Sequence, residues 1–310
     1  MTEQELFSIT GHKCIPVICG PTASGKTDFA IRIALENNGE ICCCDSMQIY
    51  KTLSVGTAKP TEEEQKKVPH HLIDLVAPDE SFNVASYLEK AYEAIEDILS
   101  RGKLPVFCGG TGQYVSALYK GISFDDAPVD RELEEELYAR AERDGIDELY
   151  KRLETLDPEG ASKIHPNNTK RVVHTLALCL SLGKTTNEIH QESLKEGARY
   201  PFRLFCIDWP REELYARINR RVDLMMEQGI LEEARWLYDQ HLDKNITAMQ
   251  AIGYKEFFPY FEQRCSLEES IEKLKQHTRN YAKRQLTWFR HLDGICWVSH
   301  ENLTEYTPKL

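Results

Sequence analysis

Residues 20–27 read GPTASGKT and directly follow the apolar run IPVIC at Ile15–Cys19. The spacing G-x-x-x-x-G-K-[ST], placed after a strand-like run and before a helix-like one, is that of a phosphate-binding loop. Gly20 and Gly25 let the backbone curl so that successive N–H groups face inward, toward phosphate oxygens. Lys26 brings a point charge to the terminal phosphates, and the Thr27 hydroxyl can join a Mg²⁺ shell. A helix starting near Lys26 turns its positive end to the same place. Gly20, Thr22, Ala23, Ser24, Gly25, Lys26 and Thr27 are therefore the candidate phosphate contacts, with Thr27 the candidate metal ligand. The loop calls for a diphosphate or triphosphate and leaves open which molecule carries it.

Two more short apolar runs end in similar punctuation. Glu40–Cys44 leads into Asp45-Ser46, and Leu104–Cys108 leads into GGTGQY at Gly109–Tyr114. Helical patterns lie between them over Thr27–Asn37 and Val84–Ser100, and Arg203–Trp209 reads as a further strand. Alternating strands and helices predict an α/β fold, a doubly wound, mostly parallel sheet carrying the phosphate loop. Ligands of such sheets sit beyond the carboxyl ends of the strands, so the loop, Asp45 and Thr111 should share one crevice. A carboxylate there can hold Mg²⁺ or act as a general base. It can also simply cap the DSMQ turn, and GGTG can be only a tight turn.

Composition shifts after Gly121. Residues 130–199 are charged and helical, over Arg131–Asp144, Ile146–Leu156 and Asn168–Leu182, with no strand pattern. The expected organisation is a first core part (1–129), an all-helical insertion (130–199) and a second core part (200–310). No apolar run approaches a membrane span, and the first residues do not read as a signal peptide. The ten cysteines include no C-x-x-C pair, so they fit core thiols in a reducing cytoplasm better than disulfides or zinc.

The net charge of −12 argues against a nucleic-acid partner unless cations are concentrated somewhere. Leu267–Leu292 concentrates them. Its apolar or neutral residues fall on one stripe, while Lys275, Arg279, Lys283 and Arg290 share the opposite side. No acidic residue occurs between Lys273 and Arg290. Lys170 and Arg171, opening a helix after IHPNN, can contact phosphates or be solvated charges of a capped helix start.

In order along the chain stand GPTASGKT, DSMQIYK, VGTAKP, VPHHLID, GGTGQY, IHPNN, RRVDLM, QAIGYKE and AKRQLTWFR. Together these segments resemble the tRNA dimethylallyltransferases of the bacterial type, from the first strand almost to Leu310. The resemblance implies transfer of a dimethylallyl group from dimethylallyl diphosphate to N6 of adenine 37, beside the tRNA anticodon. It implies Mg²⁺, Asp45 as the base on N6, and Thr111 as the hydroxyl orienting the amine. It further implies tRNA contacts at Asp45, Ser46, Met47, Gln48, Thr111, Arg131, Lys170, Arg171, His174, Gln250, Gly253, Lys255, Lys283, Arg284 and Gln285. His174 stands where the family usually has arginine. A monomer free of membranes, binding the anticodon stem-loop, is expected.

Two enzyme classes share parts of this pattern. A small-molecule kinase would use the loop for ATP but has no need of the basic helix or QAIGYKE. An adenylate isopentenyltransferase would use the sheet motifs and leave the RNA-facing segments idle. A nucleotide-controlled RNA switch needs no carboxylate beside the phosphates.

Overall fold

A computed structural model of the chain describes residues 1–122, 130–194, 197–243 and 246–310, apart from the Arg131 side chain. In chain order the first unit carries α1 (Glu3–Thr10), β1 (Ile15–Cys19), α2 (Lys26–Glu36), β2 (Gly39–Cys43), α3 (Glu62–Lys67), β3 (His70–His71), α4 (Val84–Ser100), β4 (Leu104–Gly109) and α5 (Gly112–Lys120). Five helices follow: α6 (Arg131–Asp144), α7 (Asp147–Leu156), α8 (Pro158–Ser162), α9 (Thr169–Leu182) and α10 (Thr186–Ser193). The chain then returns to the first unit as β5 (Phe202–Asp208), α11 (Arg211–Glu227), α12 (Ile230–Tyr238), α13 (Phe258–Phe261), α14 (Leu267–Arg290) and β6 (Ile295–Ser299).

The six strands form one sheet in the order β3-β2-β4-β1-β5-β6, and every pairing is parallel. β1 is buried at all five positions, as a strand covered on both faces must be. Its apolar run is therefore continuous rather than alternating. α2 presents Phe29, Ala30, Ile33 and Ala34 to Ile18, Ile41, Val106 and Phe205 of the sheet. A second core gathers Val222, Leu237, Tyr254, Phe257 and Leu274 around Ile49, Tyr50 and Leu53. That core fixes α11, α12 and α14 to the segment that follows β2.

The helical unit spans Lys120–Gly197, and the rest of the chain forms the other compact unit. The expected boundary between residues 129 and 130 lies at the edge of the undescribed stretch 123–129. The unit has its own core, in which Leu137, Leu149, Leu153, Val172, Val173 and Leu176 are buried together. Its α6 begins with a capping Asp130, whose carboxylate accepts from the Leu133 amide, and α9 begins with Asn168, capping the Arg171 amide. Both caps satisfy N–H groups that have no partner within the helix.

One ion cluster joins the amino ends of β2, β3 and β4. Glu40, 4% exposed in its side chain, accepts from Arg101 at 2.7 Å and Lys103 at 2.6 Å and meets His71 Nε2 at 2.7 Å. Burial alone would raise its carboxyl, but hydrogen bonds from Lys103, His71 and Arg101 outweigh it and hold the group at about 2. A carboxylate lowered in this way stabilises the fold fully above its unfolded value near 4.5, and the contribution is lost as pH falls toward 2. Glu40→Gln should cost roughly 3 kcal/mol at pH 7. In urea titrations the gap between variant and wild type should narrow steadily below pH 4.5; a gap independent of pH would refute the charge argument.

Candidate functional site

Three strand ends meet at the carboxyl edge of the sheet. The Cys44 amide donates to Cys108 O at 2.8 Å, and the Thr111 amide donates to Cys44 O at 3.2 Å. A Cβ on Gly109 would sit 2.0 Å from Cys44 O, so only glycine lets the ends of β2 and β4 approach this closely. Thr111 Oγ1 accepts from the Ser46 amide at 2.9 Å and lies 3.2 Å from Ser46 Oγ. Asp45 Oδ1 accepts from its own Met47 amide at 2.9 Å. The turn-capping role is thus present, and it occupies one oxygen. The other has no hydrogen-bond partner among the described residues. Gln48 is held from both ends, accepting from Cys43 Sγ at 3.1 Å and donating to Thr57 O and Ala58 O.

The phosphate loop is tied to the third strand end by α14. Gln285 Oε1 accepts from the Thr22 amide at 2.9 Å, and its Nε2 donates to Gly110 O at 2.9 Å. The side chain is 4% exposed. Tyr281 lies one turn earlier on the same helix, close to Thr111, and burial pushes its phenol well up. Thr111 is therefore approached from β4, from the turn after β2 and from α14.

Cations gather over the loop. Lys26 lies within it, its ammonium 3.4 Å from Pro21 O. Burial lowers its pKa and the nearby Arg221 guanidinium acts in the same direction, while Asp45 opposes them. Arg221, on α11, is half-buried. Its own pKa is lowered by burial and supported by Asp45 and Glu64. It has no hydrogen-bond partner among the described residues. Arg217, one turn earlier, donates to Ala23 O at 2.8 Å. Ser24 Oγ is fully buried and also lacks a partner among the described residues. Three cations and an unpartnered buried hydroxyl around a glycine loop are a setting suited to a bound anion, because such groups are costly to bury unpaired. Neither arginine was singled out as a site residue from sequence; the usable signal was the run RINRR on a helix.

The oxygen donors beside the loop that would hold a Mg²⁺ arriving with a phosphate are the Thr27 hydroxyl and the Asp45 carboxylate. No group of three or more His, Cys, Asp or Glu that could hold a metal occurs among the described residues.

The remaining sequence candidates are dispersed. Lys283 and Arg284 are exposed on α14, with the Arg284 guanidinium 5.7 Å from the Tyr281 ring centre. Lys275 and Arg279, expected on the same free basic side, face α11 instead. Lys275 pairs with Asp223 at 2.7 Å, and Arg279 donates to Asn219 at 2.6 Å. A long helix packed along another has too little free circumference for all four cations. Gly253 is buried at φ +114° against Gly56; its amide donates to Glu256, and Lys255 donates to Gln250 O at 2.8 Å. In the helical unit Lys170 and Arg171 are exposed, and His174 Nδ1 lies 2.9 Å from Glu134. The Arg131 side chain lies outside the described residues.

The model of the IPP transferase family matches residues 48–292, and that of the isopentenyl transferase family matches residues 13–77. The chain is 47% identical to a tRNA dimethylallyltransferase of Acetivibrio thermocellus, over 92% of this chain and 91% of the relative. It is 44% identical to that of Bacillus subtilis, over 91% and 90%. The chain belongs to the tRNA dimethylallyltransferase family. Among solved structures it is similar to the full-length tRNA isopentenylpyrophosphate transferase of Bacillus halodurans, with a TM-score of 0.69, 39% identity and 94% and 93% coverage. It is also similar to a eukaryotic dimethylallyltransferase captured acting on tRNA, with a TM-score of 0.80, 31% identity and 95% and 76% coverage. The family match spans Gln48, Thr111, Arg221 and Gln285, and the shorter one spans the phosphate loop and Asp45.

Gln285→Leu keeps the volume but leaves the Thr22 amide and Gly110 carbonyl unpaired, at about 1–3 kcal/mol each. The unfolding midpoint should fall, and amide exchange should quicken in the peptide containing residues 20–24. Unchanged exchange there would mean that the loop holds itself.

Proposed function

We propose that this chain transfers the dimethylallyl group of dimethylallyl diphosphate to N6 of adenine 37 in tRNA. The observation that carries this reading is a carboxylate and a hydroxyl, Asp45 and Thr111, set beside an anion-seeking glycine loop in a member of this family. The diphosphate lies in the loop, where inward N–H groups, Lys26 and Arg221 stabilise the charge that grows as the C1–O bond breaks. A Mg²⁺ held at Thr27 neutralises part of that charge when bound. The adenine amine is a weak nucleophile because its lone pair is delocalised into the ring. As the N6–C1 bond forms, the N6 proton passes to the free oxygen of Asp45, and diphosphate leaves. The Thr111 hydroxyl, held by Ser46, orients the amine.

The base reaches this crevice only if it leaves the anticodon-loop stack. Ser46, Met47 and Gln48 line its entry. Lys283 and Arg284 beside the crevice, and Gln250, Gly253 and Lys255 in the QAIGYKE segment, serve the RNA near the core. Arg131, Lys170, Arg171 and His174 serve it on the helical unit. Gln285 acts from behind, by holding the loop. Among the described residues no helix is long and apolar enough to cross a membrane, and all ten thiols are free. A monomer in a reducing cytoplasm is the reading consistent with both.

Labelled dimethylallyl diphosphate, Mg²⁺ and unmodified tRNA should give label in tRNA, undiminished by added AMP or ATP. Label in AMP would favour transfer to a free nucleotide, and consumption of ATP would favour a kinase. Asp45→Ala should lower transfer by at least a hundredfold with tRNA affinity nearly unchanged; near-normal turnover would remove Asp45 as the base. Affinity for tRNA should fall with added salt and a few-fold more with Lys283→Ala, so salt-insensitive binding would remove the cationic contacts.

A further inference from the structure

Trp209 lies one residue beyond β5, outside every role described so far. Its indole Nε1–H donates to Ser24 O at 2.9 Å. The ring stacks on His300, with centroids 4.1 Å apart and planes at 28°, and the Arg217 guanidinium lies 4.4 Å from its centre. Arg217 in turn donates to the preceding carbonyl, Ala23 O, at 2.8 Å. Two consecutive carbonyls of the phosphate loop are thus held by one stacked unit of side chains.

The consequence follows from peptide geometry. Every peptide described is trans, and across a trans peptide the C=O and the next N–H point in opposite directions. Holding Ala23 O toward Arg217 therefore turns the Ser24 N–H away from it. Holding Ser24 O toward Trp209 turns the Gly25 N–H away likewise. The Ser24 N–H turns back to Pro21 O at 3.4 Å, which leaves the Gly25 N–H as the one that a phosphate in the loop would use. The loop needs such restraint, because Ala23 sits at φ +62°, a left-handed conformation unfavourable for a residue with a Cβ. Neither carbonyl receives a hydrogen bond from the main chain of α2, which begins at Lys26.

We propose that Trp209 is a positioning residue for the diphosphate cradle: its indole N–H presets the Gly25 amide for the leaving group. The inference rests on the reading of the loop as a diphosphate site. It concerns donor binding and leaves tRNA binding alone. The probe is inorganic pyrophosphate, measured by calorimetry with Mg²⁺ on the full chain. Trp209→Phe keeps an aromatic ring at this position, removes the donor and gives up part of the indole's packing. It should weaken pyrophosphate binding about three- to tenfold and raise KM for dimethylallyl diphosphate by a similar factor. KM for tRNA should stay at the wild-type value, while the unfolding midpoint should fall only slightly, because one part-buried hydrogen bond and part of a ring's packing are lost. His300→Ala removes the stacked ring but not the N–H; its effect should be smaller, and it should nearly vanish when added to Trp209→Phe. Wild-type pyrophosphate affinity in Trp209→Phe overturns the proposal while the diphosphate site stands. Equal losses for pyrophosphate and tRNA, with a strongly lowered unfolding midpoint, overturn it in favour of general packing. A wild-type chain that binds no pyrophosphate overturns the diphosphate reading and the proposal together.

Discussion

The site depends on one amide. Gln285 reaches from α14 into the gap between the loop after β1 and the loop after β4, using its oxygen on one and its nitrogen on the other. A carboxylate could not donate to Gly110 O, and an aliphatic side chain could do neither. Because Gln285 is buried, each of these bonds forms where water cannot substitute, so their loss would be felt in full. The same helix turn carries Tyr281 toward Thr111. Two strand ends that backbone pairing alone would leave as neighbouring turns become one pocket of defined width.

Charge is arranged around that pocket against the grain of the whole chain, which is acidic by twelve charges. Lys26 and Arg221 are each disfavoured as cations by burial, and each lowers the other or is lowered by a neighbouring guanidinium. Asp45 opposes this on both, and Glu64 and Asp28 on Arg221, yet among the described residues no carboxylate forms an ion pair with Lys26, Arg217 or Arg221. A multiply charged anion bound there would supply such a partner, and in a low-dielectric setting its attraction to fixed cations would far exceed what it is in water. On the proposed reading, Asp45 would be released from those cations by the anion and left to act as a base.

Much of this was legible in the sequence because it is written in local patterns. Burial on both faces makes β1 a continuous apolar run, and its ends, Ile15 and Cys19, coincide with those of the structure. The 3.6-residue period gave Val84–Ser100 and Arg131–Asp144 to the residue. Features defined by contacts across the fold left no such trace. β6 is a short, half-exposed strand, recognisable only by its pairing with β5. β3 has two residues, too few for any period. The basic side of α14 was read from helix geometry alone, which cannot say which arc another helix covers. Asp223 and Asn219 of α11 took Lys275 and Arg279, while Lys283 and Arg290 remained exposed. Arg217 and Arg221 escaped notice because nothing in RINRR shows that its helix runs beside the phosphate loop.

The segment after β2 shows how the base side of the crevice is kept in place without regular structure. Glu233 on α12 accepts from the amides of Ser54, Val55 and Gly56 at 2.8–3.0 Å and from the Tyr254 hydroxyl at 2.6 Å. Lys59 donates to Tyr50 O and pairs with Asp74, and Gln48 holds the carbonyls of Thr57 and Ala58. Several backbone groups of the segment are thus bound by side chains, and others by backbone, as Lys51 N to Val76 O and Lys59 N to Ser54 O. A loop fixed in this way resists displacement by a large RNA ligand. Gln48 is itself one of the side chains that hold it. On the proposed function it would also contact the substrate, so a change there would alter both rigidity and binding, whereas a change at Glu233 would act through rigidity.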